Sequence, residues 1–208
     1  MKHIADVFEA IVLTQSDSNG WLGNARTLKT APYDDFKNKV DMIAEWFTPE
    51  EGSRLLALAV DVTFGAKSVQ KKLEAIKAEI DSGKLGSIKY FKDERGDFIG
   101  MRNNVPRTVI GVSELVIEEL ADLWVHRKHT ALAEHPIQRL FLDEIDAQLM
   151  MMHNYALKKG KLDAVLAYKQ VLGVIQPLRD SKAKFRSKEI AGDTVAREIV
   201  LDTSKIFG

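Results

Sequence analysis

Two aspartates in a predicted β-hairpin are the residues whose types and spacing most directly indicate chemistry. Asp61 interrupts the apolar run of residues 55–64, and burying an ionised carboxylate is costly unless it is paired or bound to a metal. A turn centred near residue 51 would pair Asp61 with Asp41 across an antiparallel hairpin. Directly opposed carboxylates destabilise a sheet unless one is protonated or a divalent cation lies between them. The spacing therefore predicts a site for Mg²⁺ or Mn²⁺, which prefer oxygen ligands.

Two further residues are candidates for the same site. Thr63 lies on the same face of its strand as Asp61, because side chains alternate along a strand. Glu9, on a predicted helix over residues 4–13, is a candidate third carboxylate. Simpler interpretations stay open at this point. Asp61 would then be a solvated strand-end residue that caps the next loop, and Glu9 an ordinary surface residue.

Basic residues follow the second strand at once. Lys67 precedes a helix that is expected to begin after its N-cap residue Ser68, and Lys71 and Lys72 occupy the first turns of that helix. Cations near a helix N-terminus oppose the helix dipole. A bound anion such as a phosphate would account for them better, and solvated surface lysines are the alternative.

The overall charge is balanced but unevenly distributed. Lysine plus arginine and aspartate plus glutamate each number 30 in 208 residues, which argues against a polybasic nucleic-acid coat or an acidic tail. Residues 1–62 carry a net charge of −4, whereas residues 147–208 carry +5. The densest group of cations is Arg179, Lys182, Lys184, Arg186 and Lys188. This group is predicted to follow a phosphate backbone, with a solvated helix end or loop as the alternative.

The elements that must position these residues are predicted from apolar periodicity, glycines and prolines. Residues 16–32, rich in Ser, Asn, Gly and Thr, are predicted to be a loop, and no element is assigned after residue 179. The predicted helices cover residues 4–13, 69–82, 113–126, 136–158 and 162–179, and the predicted strands cover residues 40–47, 55–64, 87–91, 98–100 and 107–112. This order predicts one mixed α/β domain over residues 1–208, with an α/β core at 1–132 and a helical C-terminal extension at 133–208.

The order and spacing of these elements resemble the PD-(D/E)XK nuclease superfamily over about the first 112 residues. The core of that superfamily is a helix carrying an acid, followed by a hairpin. The first strand of the hairpin carries Asp, and the second carries Asp or Glu, any residue, and Lys; a helix and further strands follow. Glu9 would be the acid of the helix, Asp41 the first-strand Asp, and Asp61-Val62-Thr63 the second-strand motif. The resemblance implies a restriction-endonuclease-like mixed sheet flanked by helices.

The resemblance also implies an activity, the Mg²⁺-dependent hydrolysis of phosphodiester bonds. Asp41 and Asp61 would hold one or two Mg²⁺ or Mn²⁺ ions, and Glu9 would orient a metal-bound water. A lysine would stabilise the negative charge that develops on the phosphoryl oxygens. The implied partner is nucleic acid, with DNA favoured over RNA.

One departure from the superfamily pattern concerns that lysine, because Thr63 occupies its position. In some members the lysine lies on a neighbouring element, and Lys67 or Lys71 is the candidate here. If neither lysine reaches the aspartates, the resemblance implies a protein that binds nucleic acid without cutting it.

The remaining features bear on partners and location. The chain contains no cysteine, which excludes a thiol nucleophile and a cysteine zinc site and fits a reducing compartment. No window approaches 18 uncharged apolar residues, and acidic residues interrupt the N-terminal apolar stretch, so neither a membrane span nor a signal peptide is expected. We therefore expect a cytoplasmic protein. The helices over residues 136–179 are expected to form a hairpin that either mediates homodimerisation or covers the sheet.

Two alternatives to a nuclease follow from the same sequence. The first is an inactive protein with the same fold that acts as a binding or structural module. The second is an α-helical interaction protein whose small sheet is only a scaffold. This second alternative requires Asp61 to be exposed at a strand end and far from Asp41.

Overall fold

The computed structural model describes residues 2–48, 54–63, 66–92 and 99–208. The helices are α1 (Lys2–Asn19), α2 (Ala66–Ser82), α3 (Glu114–Val125), α4 (His129–Ala133), α5 (Ile137–Lys158), α6 (Leu162–Ser181), α7 (Lys188–Ala191) and α8 (Thr194–Phe207). The strands are β1 (Arg26–Lys29), β2 (Met42–Thr48), β3 (Arg54–Thr63), β4 (Gly86–Lys92), β5 (Ile99–Val105) and β6 (Arg107–Gly111). A π-helical turn covers Asp34–Asn38, and a 3₁₀ turn covers Ala183–Phe185. Within the described ranges, no helix is both long and apolar enough to cross a membrane.

Four strands form the main sheet in the order β1-β2-β3-β6. β1, β2 and β3 are antiparallel neighbours, whereas β6 pairs in parallel with β3 after a crossover that contains α2. β4 and β5 form a separate two-stranded antiparallel sheet, so the main sheet continues through β6. The mixed α/β fold class predicted from the sequence is confirmed.

The hairpin of β2 and β3 has the register predicted from the sequence. Met42 pairs with Val60, so continuing the ladder by one position pairs Asp41 with Asp61. The backbone N–H of Asp41 donates to the carbonyl of Val60 at 3.2 Å. This bond holds the two segments of the hairpin together at this end. The apolar side chains of both strands fix this register, because a slip of one residue would turn every core side chain to the opposite surface.

Residues 16–32 contain more regular structure than the predicted loop, so that prediction is wrong for much of the segment. α1 extends well into it, and β1 pairs with β2. The Asp17 carboxylate of α1 accepts hydrogen bonds from the backbone N–H of Thr27 at 2.8 Å and from its hydroxyl at 2.7 Å. A bond of this kind fixes a short strand without leaving any apolar periodicity in the sequence.

Helix α2 begins earlier than predicted, at Ala66, so the prediction that Ser68 is its N-cap is wrong. The Ser68 hydroxyl instead shares a hydrogen bond of 2.6 Å with the hydroxyl of Thr63 at the end of β3. Gly83 follows the helix, as predicted, with a positive φ of 75° that glycine accommodates. The first turns of α2 therefore lie close to the end of the hairpin that carries Asp41.

The C-terminal segment, which the sequence left unassigned, forms α7 and α8. The carboxylate of Asp193 caps α8 by accepting from the backbone N–H groups of Val195 at 2.9 Å and Ala196 at 3.0 Å. The same carboxylate accepts from the backbone N–H of Ser113 at 3.0 Å, which ties α8 to the start of α3. α8 packs on α2 and α5, and one apolar cluster joins residues 133–208 to the sheet and the N-terminal helices.

Side chains of α5 cover the outer edge of β6. The Gln148 side-chain carbonyl accepts from the backbone N–H of Val109 at 2.9 Å, and its amide donates to the carbonyl of Val109 at 2.6 Å. One turn earlier, the Glu144 carboxyl accepts from the backbone N–H of Gly111 at 3.2 Å. These two side chains take hydrogen bonds that a further strand would otherwise supply.

Candidate nucleic-acid and metal site

Val62 is the residue at which an acid and a base of the predicted site meet. β2 begins at Met42, so Val40, the residue opposite Val62 in the ladder, has already left the strand. Two side chains form the hydrogen bonds to the Val62 backbone that Val40 would form in a longer ladder. Asp41 Oδ2 accepts from the Val62 backbone N–H at 2.7 Å, and Lys72 Nζ donates to the Val62 carbonyl at 2.9 Å. The end of the hairpin therefore holds a carboxylate and an ammonium group close together.

A cavity of about 610 Å³ lies at this end of the hairpin. Its charged lining comprises four cations and two carboxylates from separate parts of the chain. These residues are Lys39, Lys71, Lys72, Arg107, Asp35 and Asp41. The excess of cations favours an anionic ligand, and Asp41 brings a carboxylate into the same space.

Arg107 is held rigidly where it lines the cavity. It is the first residue of β6 and is buried. Its guanidinium forms an ion pair with Glu79 of α2 and donates through Nη2 to the carbonyl of Lys39 at 2.9 Å. Burial raises the pKa of Glu79, against the opposing effect of the Arg107 charge. Lys39 itself has a left-handed backbone, with a φ of 54°.

Glu9 of α1 is the third carboxyl group that the sequence predicted for this site. Its carboxylate forms an ion pair with Lys29 at 3.4 Å, and only 16% of its side chain is exposed. Burial raises the pKa of Glu9, and the negative charges of Asp41 and Asp35 raise it further, while Lys29 opposes the shift. The charge of Asp41 therefore contributes to the pKa of Glu9, although Glu9 does not line the cavity.

The oxygen donors around the cavity fit a hard divalent cation in kind. Asp41 uses Oδ2 for the Val62 backbone, and a divalent cation would relieve the repulsion that raises the pKa of Glu9. Among the side chains that the structure describes, no three His, Asp or Glu residues form a metal-binding group. The backbone of Asp61 lies in β3 opposite Val109, but the side chain of Asp61 is outside the described part of the chain. A site for Mg²⁺ or Mn²⁺ therefore stays a prediction.

The predicted catalytic residues beside Asp61 have different environments. Thr63 is buried, and its hydroxyl is hydrogen-bonded to Ser68. Lys71 is exposed and lines the cavity. The side chain of Lys67 is outside the described part of the chain. Lys72, predicted only as a nucleic-acid contact, is the lysine that reaches the hairpin.

The first two of the five cations in the predicted C-terminal basic group, Arg179 and Lys182, are engaged within the protein. The Arg179 guanidinium forms ion pairs with Asp146 and, at 3.2 Å, with Asp180. Lys182 Nζ donates to the carbonyl of Gly20 and to the side-chain carbonyl of Gln138, both at 2.7 Å. These contacts tie the end of α6 to α5 and to the turn after α1.

The other three cations of the group, Lys184, Arg186 and Lys188, are exposed. Lys184 Nζ lies 4.7 Å from the ring centroid of Phe185, and Lys182 Nζ lies 5.5 Å from the same centroid. Burial lowers the pKa of Lys182, and the charge of Lys184 lowers it further. None of the five predicted C-terminal cations lines the cavity that Asp41 and Lys72 share.

Three charged residues of the cavity were not predicted from the sequence, namely Asp35, Lys39 and Arg107. Arg107 carried a usable signal, because it begins an apolar strand and a charge at such a position is as costly as that of Asp61. Lys39 and Asp35 carried no such signal, since they lie in a polar segment whose turn brings them to the cavity.

Comparison with known proteins does not assign a family. No protein-family model, no curated protein and no solved structure matches the chain. Membership of the PD-(D/E)XK superfamily and a homodimer through the C-terminal helices therefore stay predictions, and the chemistry of the site has to be inferred from its own residues.

Proposed function

We propose that this protein is a metal-dependent nuclease that hydrolyses phosphodiester bonds at the cavity beside Asp41. The observation that carries the proposal is the pair of side chains on Val62, with Asp41 at its N–H and Lys72 at its carbonyl. Val62 is the middle residue of Asp61-Val62-Thr63. In the superfamily that the sequence resembles, an acid and a lysine act together at this segment.

The order of the elements gives further support. A helix with an acid precedes the hairpin, α2 follows it, and β6 then continues the main sheet. The resemblance implies the same order. The alternative of a helical interaction protein required Asp61 to lie far from Asp41, whereas the hairpin register brings their backbones opposite each other.

Asp41, Glu9 and Asp61 are the residues that would hold Mg²⁺ or Mn²⁺. A bound divalent cation supplies Lewis-acid activation of water and neutralises charge on the phosphoryl oxygens. Asp41 is already oriented by its hydrogen bond to the Val62 backbone. Glu9 has a raised pKa and is the group suited to orient the attacking water and accept its proton.

The cations of the cavity bind the phosphate and stabilise its developing charge. Arg107 is fixed by Glu79 and by the Lys39 carbonyl, so little reorganisation is needed when a phosphate enters. Lys72 takes the role of the motif lysine that Thr63 replaces. It comes from α2 instead of β3, and its bond to Val62 holds it beside Asp41. Exposed Lys71 contributes a further phosphate contact.

A second candidate function, a nuclease-like protein that binds nucleic acid without cutting it, is favoured by one observation. Thr63 is buried and its hydroxyl is bonded to Ser68, so the motif position itself carries no group suited to stabilise negative charge. This candidate keeps the cationic cavity as a phosphate site and requires that Lys72 does not compensate for the missing lysine.

Substituting Asp41→Asn tests the nuclease proposal, because asparagine keeps an acceptor for the Val62 N–H while removing the charge. We expect Mn²⁺ to bind the parent by calorimetry and the parent to nick plasmid DNA in Mg²⁺. Asp41→Asn should lower both metal affinity and nicking by about 100-fold, since even groups that only orient metal ligands cost about 10- to 100-fold when lost.

The matched control is Asp163→Asn, which removes an exposed carboxylate from the first turn of α6. It should bind Mn²⁺ and nick DNA like the parent. Binding of Mn²⁺ without nicking would favour the inactive binding protein. A parent that binds no Mn²⁺ would contradict the metal site.

A further inference from the structure

Three exposed aromatic side chains, Tyr33, Phe36 and Tyr90, lie on or beside the turn that covers Asp34–Asn38, and we call them the aromatic patch. Phe36 is 78% exposed and lines the cavity together with Asp41 and Lys39. Tyr33 and Tyr90 are also exposed, and their rings meet edge to face with centroids 5.5 Å apart. Exposed aromatic rings grouped beside a charged cavity are typical of a recognition surface.

Lysines accompany each ring of the aromatic patch. Lys39 Nζ lies 4.7 Å from the centroid of the Phe36 ring. Lys89 Nζ lies 4.8 Å from the Tyr33 centroid and 5.1 Å from the Tyr90 centroid. Rings with adjacent cations are the combination that binds single-stranded nucleic acid, because bases stack on the rings while the cations bind the phosphates.

A buried carboxylate holds the aromatic patch in place. Asp34 is fully buried and accepts from the backbone N–H groups of Lys89 at 2.9 Å and Tyr90 at 3.0 Å. It thereby fastens the turn that carries Tyr33 and Phe36 to strand β4. The rings are therefore presented on a fixed framework, which lowers the entropic cost of binding a ligand.

From these observations we propose that the aromatic patch binds unpaired bases of single-stranded nucleic acid and leads the strand into the cavity. This inference rests on the proposed function and adds the strandedness of the substrate. In a duplex the bases stack on one another and are closed to the rings, so a duplex would gain only the phosphate contacts of Lys39, Lys71 and Arg107.

Fluorescence polarisation in EDTA tests this inference, because it measures binding without cleavage. The probes are a labelled 12-nucleotide oligothymidylate, its oligouridylate counterpart, an abasic strand of equal length, and a hairpin duplex. We expect the parent to bind the base-containing strands more tightly than the abasic strand. Phe36→Ala should weaken binding of the base-containing strands about 10-fold and leave the abasic strand and the duplex unchanged. The two base-containing strands distinguish DNA from RNA.

The matched control is Phe185→Ala, because Phe185 also has two lysines beside its ring but does not line the cavity. It should bind every probe like the parent. Tyr90→Ala provides a second, independent variant of the aromatic patch and should also lose affinity for base-containing strands only. Circular dichroism should show that both variants of the patch are folded.

Several outcomes would overturn the inference. One is equal binding of the thymidylate strand by Phe36→Ala and the parent. Another is a loss of affinity for the duplex in Phe36→Ala that is as large as its loss of affinity for the thymidylate strand. Sedimentation of the parent, but not of Phe36→Ala, with vesicles of anionic phospholipid would instead assign the aromatic patch to a membrane surface. Phe36-dependent binding by a protein that never cleaves DNA or RNA in Mg²⁺ would overturn the nuclease proposal and support this inference. Cleavage that requires Asp41 but not Phe36 would support the nuclease proposal and overturn this inference.

Discussion

The cavity beside Asp41 and the C-terminal basic group contain similar numbers of cations, but the fold uses them differently. The cavity collects Lys39, Lys71, Lys72 and Arg107 from three separate segments of the chain. The C-terminal cations are neighbours in sequence, yet the first two of them bond to Asp146, Gly20 and Gln138 within the protein. Cation density along a sequence therefore indicates a phosphate site poorly, whereas convergence of cations on a cavity indicates one well.

The largest expected difference between the two regions comes from single lysines. Lys72→Met keeps the length of the side chain and removes its charge at the cavity, whereas Lys184→Met does the same in the C-terminal group. We expect Lys72→Met to lower Mg²⁺-dependent cleavage about 100-fold, which is the usual cost of losing one group that stabilises transition-state charge. Initial rates on a labelled oligonucleotide measure this effect.

Lys184→Met is the control for that comparison and should cleave within about twofold of the parent, because surface charges outside the site act only through long-range attraction. Thermal unfolding should show that both variants are folded. If Lys184→Met lost as much activity as Lys72→Met, the C-terminal basic group would belong to the substrate-binding surface. The proposed difference between the cavity and the C-terminal basic group would then be wrong.

A second contrast concerns stability. Arg179 pairs with Asp146, whose side chain is only 4% exposed, while 29% of the arginine side chain is exposed. Arg179→Met would leave the Asp146 charge buried without this cation. We expect the free energy of unfolding to fall by about 2 kcal/mol, which is less than for a fully buried pair because solvent screens the exposed arginine.

Urea unfolding measures this loss, and Arg186→Met serves as the exposed control with unchanged stability. The affinity for single-stranded oligonucleotides should stay unchanged in Arg179→Met. A loss of affinity without a loss of stability would mean that Arg179 contacts nucleic acid and is not a structural residue.

The smallest expected effect concerns Glu144, the buried carboxyl group beside β6. Burial raises the pKa of Glu144 well above its usual range, and the charges of Asp193 and Asp143 raise it further, while the Gly111 N–H opposes the shift. The stabilising contribution of protonated Glu144 is complete below the pKa that the group has when unfolded. It is lost as the pH rises through the folded pKa.

Glu144→Gln should therefore stabilise the protein at pH 8, because the glutamine side chain cannot acquire the charge that burial disfavours. The difference from the parent should disappear near pH 4. Urea unfolding at both pH values measures it, with Glu189→Gln, an exposed substitution in α7, as control. An unchanged or lower stability of Glu144→Gln at pH 8 would show that the charged form of Glu144 is accommodated in the folded protein.

The sequence was informative about the hairpin because its signals are local. Two apolar runs separated by a short segment with Pro49 and Gly52 predict the pairing of Met42 with Val60. The cost of a charge in an apolar strand identified Asp61. Local signals of this kind identify elements and single unusual residues. They do not identify contacts between segments that are distant in the sequence, such as the Asp17 bonds that fix β1.

The choice among the lysines of α2 shows the same limit. Lys72 precedes the buried Ile76 by four residues, so the two lie on neighbouring positions of one helix face. This spacing turns Lys72 toward the sheet, whereas Lys71 is exposed. The helix periodicity therefore distinguishes Lys72 from Lys71. The cavity itself required the tertiary path of Lys39 and Arg107, which no local pattern contains.

The side chains of Gln148 and Glu144 that terminate the sheet at β6 also bear on self-association. An open strand edge is a template for pairing with another molecule, and such pairing leads to aggregates. Because both protecting side chains belong to α5, the edge becomes available only when that helix leaves the sheet. Native molecules are therefore protected from intermolecular strand addition at β6, whereas partly unfolded molecules that have lost α5 expose a strand ready to recruit others.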